Sequence, residues 1–118
     1  MYKGHANEKS LDFAIQIVNL CKQLNSQNEF VISRQILRSG TAIGALIREA
    51  EFAESGSDFI HKLSIARKEC NESIYWLELL QKTNLIENSL FEILNNKAIE
   101  LMKLLTASIK TKKARLQK

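Results

Sequence analysis

The chain has 118 residues, no proline, four glycines and a formal net charge of +4. This length fits one domain that buries a hydrophobic core without disulfides or a metal. The lack of proline argues against a β-rich fold, which needs proline and glycine in its turns, and it favours long uninterrupted helices.

The first predicted helix spans about residues 8–26. Apolar residues recur there at spacings of three and four, which is the helical period. They form two neighbouring stripes, one of Leu11, Ala14, Val18 and Cys21 and one of Phe13, Ile17, Leu20 and Leu24. Polar residues occupy a single narrow stripe, so we expect this helix to be covered on more than one side.

The second predicted helix, about residues 30–54, is thin in its middle. Its apolar seam consists of Ile36, Gly40, Ile43, Ile47 and Ala50. Gly40 and Gly44 lie four residues apart, although glycine costs about 1 kcal/mol relative to alanine inside a helix. Small residues let two backbones approach closely, so we expect another helix to pack there, from the same bundle or from a neighbouring subunit. We expect Gly56 to end this helix and Ser57 to cap the next one.

The third and fourth predicted helices span about residues 58–82 and 89–109. The fourth begins with a predicted capping box, Ser89-x-x-Glu92. Their apolar stripes are Phe59, Leu63, Ala66, Cys70, Leu77 and Leu80, and then Leu94, Ala98, Leu101, Leu105 and Ile109. Because the connections are short, residues 1–109 are predicted to form an all-α, antiparallel up-down-up-down four-helix bundle.

The last nine residues, "KTKKARLQK", carry five basic and no acidic residues. The positive excess of the chain is therefore concentrated in residues 110–118, which are predicted to form a basic C-terminal tail. Lys110, Lys112, Lys113 and Arg115 are the candidate contacts to the phosphates of a nucleic acid. The alternative is a solvated, frayed helix end, whose lysines suit the negative end of the helix dipole.

Motifs for catalysis or cofactor binding are missing from the sequence. It has no phosphate-binding glycine loop and no nucleophile elbow. A di-iron bundle needs Glu-x-x-His on two helices, and the nearest pattern here is a single Asp58-x-x-His61. We therefore expect no catalytic residue, no metal and no cofactor, and a protein that is not an enzyme.

Compartment is predicted from the cysteines and from hydropathy. Cys21 and Cys70 form no CxxC pair and fall on apolar stripes, so we expect two buried free thiols. No apolar run reaches membrane-spanning length, and the first residues lack the apolar region of a signal peptide. These features predict a cytoplasmic protein with no membrane partner.

Two stretches, "RQILRSGTAIGALIREAEFAES" and "DFIHKLSIARKECNESIYWLELL", carry a family resemblance. They resemble the 23S rRNA intervening-sequence proteins, or S23-type proteins, a family of small four-helix bundles, and the likeness extends over about residues 10–109. The matching positions are Gln35, Arg38, Ser39, Ile43, Ile47, Glu49, Phe59, Leu63, Ala66 and Glu72. Ala42, Leu46 and Ala50 depart from it, since the family usually has Ser, Asn and Gly there.

The resemblance implies homo-oligomers, with ring-shaped pentamers favoured. Some family members are encoded within intervening sequences of 23S rRNA genes, and a similar bundle is the accessory protein of retroelements, where it contacts a reverse transcriptase and nucleic acid. On this basis the signature and interface residues are Gln35, Arg38, Gly40, Gly44, Arg48, Glu49 and Glu72.

Three functional hypotheses remain open at this point. The first is a non-catalytic oligomer that associates with RNA through its basic tail. The second is a protein-interaction scaffold or accessory subunit, for example of a reverse transcriptase, without nucleic-acid binding of its own. The third is a small-molecule site between subunits, lined by Arg38, Arg48 and Glu72. We also expect Arg67 and Arg48 to meet Glu49 or Glu72 across a helix pair or subunit boundary.

Overall fold

A computed structural model describes residues 2–117 of the chain and the side chains of residues 5–117, so Lys118 of the predicted tail lies outside the described residues. Four helices make up the fold: α1 (Tyr2–Ser26), α2 (Val31–Glu51), α3 (Gly56–Lys82) and α4 (Asn88–Leu116). They form a rod of 52 × 21 × 20 Å. The predicted all-α four-helix fold is confirmed.

Neighbouring helices run in opposite directions. Two ion pairs show this for α1 and α4: Lys9 pairs with Glu100 at 2.9 Å, and Asp12 pairs with Lys97 at 2.8 Å. The residue numbers rise along α1 as they fall along α4, so the two helices are antiparallel. Short connections join α1 to α2, α2 to α3 and α3 to α4, and each helix packs against two neighbours. This is the arrangement expected of an up-down-up-down bundle.

One continuous apolar core runs along the bundle axis. The predicted stripes of α2, α3 and α4 line it, and α1 contributes its second predicted stripe. Leu11, from the first stripe, is 49% exposed, because a helix with only two neighbours leaves one side open. The largest fully buried side chains are Phe13, Ile17, Leu20, Leu24, Ile36, Ile43, Ile47, Leu63, Leu77, Leu80, Leu94 and Leu101.

α1 is the helix that packs on the thin middle of α2. A Cβ atom added to Gly40 would lie 3.0 Å from two side-chain carbons of Ile17, and one added to Gly44 would lie 3.1 Å from the Ser10 hydroxyl oxygen. Both separations are shorter than an ordinary carbon contact. The two glycines therefore let α1 and α2 of the same chain approach closely, and this settles which of the two predicted partners occupies the gap.

The connection between α2 and α3 differs from the prediction. Gly56 begins α3 and does not end α2, and its φ is not positive. Ser55 caps α3, because its hydroxyl accepts the N–H of Asp58 at 3.0 Å. The predicted roles of Gly56 and Ser57 are therefore wrong. Gly56 contacts the end of α4, since a Cβ there would lie 2.6 Å from a methyl group of the half-exposed Leu116 side chain.

The start of α4 also differs from the prediction. The helix begins at Asn88, and the preceding Glu87 makes no side-chain cap hydrogen bond. The capping box of Ser89 and Glu92 is therefore wrong. Ile86 is buried just before the helix, and this anchor places the first turn earlier than the capping pattern indicates.

Both cysteines are buried free thiols, as predicted. The Cys70 thiol donates to the carbonyl oxygen of Ala98 at 3.2 Å, and the Cys21 thiol donates to that of Ser33 at 3.3 Å. Burial raises the pKa of both thiols, and that of Cys70 rises from 9.0 to about 12. Neither thiol is activated for chemistry at neutral pH.

We expect the buried thiol of Cys70 to make the fold less stable in alkaline solution. In the unfolded chain this thiol loses its proton above about pH 9, whereas in the folded chain it keeps the proton up to about pH 12. Between those values, unfolding releases a proton, so stability falls as pH rises. Urea unfolding should give a free energy about 1 kcal/mol lower at pH 10 than at pH 8. Cys70→Ala should show a drop smaller by that amount; equal drops in the two proteins would contradict the assignment.

Candidate nucleic-acid interface

The basic residues predicted as a tail lie on the last turns of α4. The helix continues to Leu116, so the bundle does not end at residue 109. These turns pack on the start of α3: the Lys112 ammonium lies 5.5 Å from the centroid of the Phe59 ring, and Leu116 covers Gly56. Residues 110–116 are therefore part of the bundle, and their charges have defined directions.

The four predicted cations face two different surfaces. At 3.6 residues per turn, Lys110 and Lys113 share one side of α4, and Lys112 and Arg115 share another. Lys110 and Lys113 line a groove beside α3 together with Arg67. Lys112 and Arg115 line a separate cavity at the end of the bundle. The predicted nucleic-acid set therefore does not form one site.

The groove between α3 and α4 is strongly positive. We call it the basic face and define it by Arg67, Lys68, Lys103, Lys110 and Lys113. Arg67 extends across the groove to within 3.5 Å of the Thr106 hydroxyl, and with Lys68 it lines a neighbouring depression. Lys103 lies seven residues before Lys110 and therefore on the same side of α4. Within residues 5–117, none of the five cations has a carboxylate within salt-bridge distance.

Sequence reasoning missed the basic face because it depends on how α3 is rotated. Within the chain, the expected pairing of Arg67 with Glu49 or Glu72 across a helix pair does not form, because α3 directs Arg67 towards α4 and Glu72 towards α2. The seven-residue spacing of Lys103 and Lys110 was an available signal. It indicates a shared surface only when the helix extends beyond residue 109.

Arg38, from the family signature, joins α2 to α3. Its guanidinium pairs with Glu69 at 3.0 Å and with Glu72. The same Glu72 oxygen accepts the indole N–H of Trp76 at 2.9 Å. Arg38 is half exposed, so this cluster orients two helices at the surface and contributes little to stability.

The remaining signature residues do not gather at one place. Glu49 pairs with Lys62 at 3.3 Å, Gln35 is partly buried, and Gly40 and Gly44 face α1. Arg48 is exposed and lies about 15 Å along α2 from Arg38, so these two arginines do not line one site with Glu72 within the chain.

A buried hydroxyl pair is a further link between α2 and α3 that sequence reasoning did not identify. The hydroxyls of Ser39 and Ser73 lie 2.8 Å apart, and the Ser73 hydroxyl lies 3.0 Å from the carbonyl oxygen of Glu69. The Ser39 hydroxyl also lies 3.5 Å from the carbonyl oxygen of Ile36, so either hydroxyl can be the donor within the pair. Serine at a core position of the helical repeat was the available signal, and its role here is structural.

Within the described part of the chain, no group of three or more His, Cys, Asp or Glu side chains is placed to hold a metal ion. None of the four helices, as far as they are described, is long and apolar enough to cross a membrane.

The model of the 23S rRNA-intervening sequence protein family matches residues 4–107. The chain belongs to this family. The fold also superposes, with a TM-score of 0.91, on the 1.70 Å crystal structure of a protein with unknown function from the S23 ribosomal protein family from Bacteroides thetaiotaomicron VPI-5482. The two proteins are 57% identical, over 93% of this chain and 99% of that one. Comparison with proteins of curated function gives no match.

The family match covers only part of the basic face. Arg67, Lys68 and Lys103 lie within the matched residues, whereas Lys110 and Lys113 lie beyond them. Of the three positions that depart from the family signature, Ala50 is buried, Leu46 packs against the core and Ala42 is partly exposed. Leu46 replaces an amide, which removes hydrogen-bond donors and acceptors from α2.

Proposed function

We propose that this protein is a non-catalytic, oligomeric four-helix bundle that associates with RNA through its basic face. The observation that carries the proposal is the set of five cations without carboxylate partners along the α3/α4 groove. Like-charged side chains repel one another, and a polyanion relieves this repulsion while releasing its own counterions.

The spacing of the cations suits a phosphate backbone. Lys103 and Lys113 are about 15 Å apart along α4, at 1.5 Å per residue, with Arg67 and Lys68 facing them from α3. A strand laid in the groove meets several charges within a few nucleotides.

Sequence-independent binding is the expected mode. Trp76 is engaged by Glu72, whereas Tyr75 is exposed and lies seven residues after Lys68, on the same side of α3 and about 10 Å further along it. Neither ring is among the described residues that line the groove, so phosphate contacts carry the affinity there.

A second surface supports self-association. Leu11, Ile15 and Val18 follow one another at helical spacing on α1, and the contact of Gly40 with Ile17 places Leu37 of α2 beside them. Leu11, Ile15 and Leu37 are each more than one-third exposed. We call Leu11, Ile15, Val18 and Leu37 the apolar face. We propose that it packs on a neighbouring copy in a ring, with five subunits favoured.

A ring would strengthen RNA binding without new contacts. It brings several basic faces together, and multivalent attachment to one strand raises the overall affinity. The alternative function, a protein-interaction scaffold or accessory subunit, is favoured by the same apolar face if it contacts a different protein. The two functions differ in whether the basic face is needed for binding.

The test is a salt titration of single-stranded RNA binding by the full chain. Five phosphate contacts predict a slope of about −3.5 in log affinity against log salt. Arg67→Gln/Lys110→Gln/Lys113→Gln should weaken binding at least tenfold at 0.1 M salt and reduce the slope by about 2. Substitutions are preferable to a chain ending at residue 109, which would also lose the contacts of the last α4 turns with α3.

A matched control removes three other exposed cations. Lys22, Arg34 and Lys82 lie at the opposite end of the bundle, and all three are exposed. Changing them to glutamine removes the same charge and should leave the slope unchanged. Equal losses in the two triple variants, or no RNA binding by the unaltered chain, would exclude the basic face and favour the scaffold.

A further inference from the structure

A cavity of about 680 Å³ opens at one end of the bundle, on the other side of α4 from the basic face. It lies where the end of α2, the start of α3 and the last turns of α4 meet. Ala50, Ala53, Phe59 and Ala107 supply an apolar wall. The volume falls in the range of sites for small organic ligands.

Ser108 shows that the cavity wall has unused hydrogen-bonding capacity. This residue is only 9% exposed, and it lines the cavity. Its hydroxyl makes no hydrogen bond to a described residue, and its oxygen is not fully buried, so it faces the solvent that fills the cavity. A ligand in the cavity would replace this solvent at the hydroxyl.

Positive charge surrounds the same opening. Lys112 and Arg115 line it from α4, and neither pairs with a described carboxylate. Gly56, the first residue of α3, lies in the wall, so the positive end of this helix borders the cavity, together with the carboxylate of Asp58 in its first turn. The hydroxyl oxygen of Ser55 accepts the N–H of Asp58, and its carbonyl oxygen accepts the N–H of Phe59. The N–H of Gly56 is therefore left for an incoming anion.

One acidic side chain also lines the cavity. Glu51 accepts a hydrogen bond from the amide of Asn7 at 2.6 Å, which holds its carboxylate on the side of α1. A bare inorganic anion gains nothing from this neighbour. A ligand that carries hydroxyl or amino donors beside its anionic group can donate to the Glu51 carboxylate while its anionic group pairs with Lys112 and Arg115.

We propose that this cavity binds a nucleotide-like phosphomonoester. Lys112, Arg115 and the start of α3 hold the phosphate, Ser108 donates to the ligand, and the apolar wall covers its flat part. Two sources share this chemistry, a free nucleoside monophosphate and the 5′-phosphate end of an RNA strand. The site is independent of the basic face, and its existence does not rest on the RNA binding proposed above.

Calorimetric titration of the full chain with adenosine 5′-monophosphate tests the proposal. We expect saturable binding that Lys112→Gln/Arg115→Gln weakens at least tenfold. The matched variant Lys110→Gln/Lys113→Gln removes the same charge from the other side of α4 and should change the affinity less than twofold. Ala107→Leu, at an exposed helical position in the wall, should block the cavity while the melting temperature stays within a few degrees.

Competition experiments separate the two sources. A 5′-phosphorylated RNA oligonucleotide that displaces the nucleotide, when its 5′-hydroxyl counterpart does not, identifies an RNA end as a ligand. Nucleotide binding that neither oligonucleotide affects identifies the free nucleotide. Three results would overturn the proposal: no saturable binding at millimolar nucleotide, equal losses in the two double variants, or inorganic phosphate binding as tightly as the nucleotide. None of these bears on the salt titration of the basic face.

Discussion

Gly40→Leu will destabilise the bundle by about 3 kcal/mol and lower the melting temperature by about 10 °C or more. The first added carbon would already lie 3.0 Å from Ile17, which is fully buried, and the three further carbons have no space between α1 and α2. Leucine regains about 1 kcal/mol through its better helix propensity, which offsets only part of the overpacking. Urea and thermal unfolding at one fixed protein concentration measure the change, because the proposed self-association would make stability depend on concentration.

Two further variants serve as controls for Gly40→Leu. Gly40→Ala adds only the first carbon, so the gain in helix propensity nearly balances the compression, and stability should change by less than about 1 kcal/mol. Arg34→Leu introduces the same side chain at an exposed position of α2 and should have little effect. If Gly40→Leu unfolded like the unaltered protein, the close approach of α1 and α2 would be refuted.

We expect Ile15→Asp to dissociate the proposed oligomer into chains of 13.5 kDa. The side chain of Ile15 is 51% exposed in the single chain and lies at the centre of the apolar face. A carboxylate there would have to lose its hydration against the apolar surface of the neighbouring subunit, which costs several kcal/mol per interface. Light scattering after size exclusion should show a mass of about five times 13.5 kDa for the unaltered chain and a single-chain mass for the variant.

The control is Ile93→Asp on α4. Ile93 is 50% exposed, so the two variants place the same charge at nearly the same accessibility but on different sides of the bundle. Helical circular dichroism should be unchanged in both, because neither side chain belongs to the core. A single-chain mass for the unaltered protein, or equal dissociation by both variants, would remove the apolar face as the subunit contact. If Ile15→Asp dissociates the oligomer and Ile93→Asp does not, a loss of RNA affinity in Ile15→Asp alone would show that assembly strengthens RNA binding.

The sequence by itself determined the helical class, the number of helices, the core stripes of α2, α3 and α4 and the two buried thiols, whereas only one of the two stripes predicted on α1 lines the core. Each of these follows from the 3.6-residue period, from composition or from short connections, and these are properties of one segment at a time. The family was also recognisable, because its signature is a set of residue types at fixed spacings within α2 and α3.

Only the tertiary structure decided how those segments face one another. The glycines of α2 predicted a close neighbour, but only the packed bundle shows that α1 fills the gap. The charges at residues 110–118 predicted a tail, because a run of lysines carries no periodic apolar signal. The contacts of Lys112 with Phe59 and of Leu116 with Gly56 show that the segment as far as Leu116 packs on α3. Helical periodicity gives the side of its own helix on which a residue lies, whereas rotation and register against the next helix come from packing. For that reason Arg67 joined Lys110 and Lys113 on the basic face, and Lys112 and Arg115 became part of the cavity.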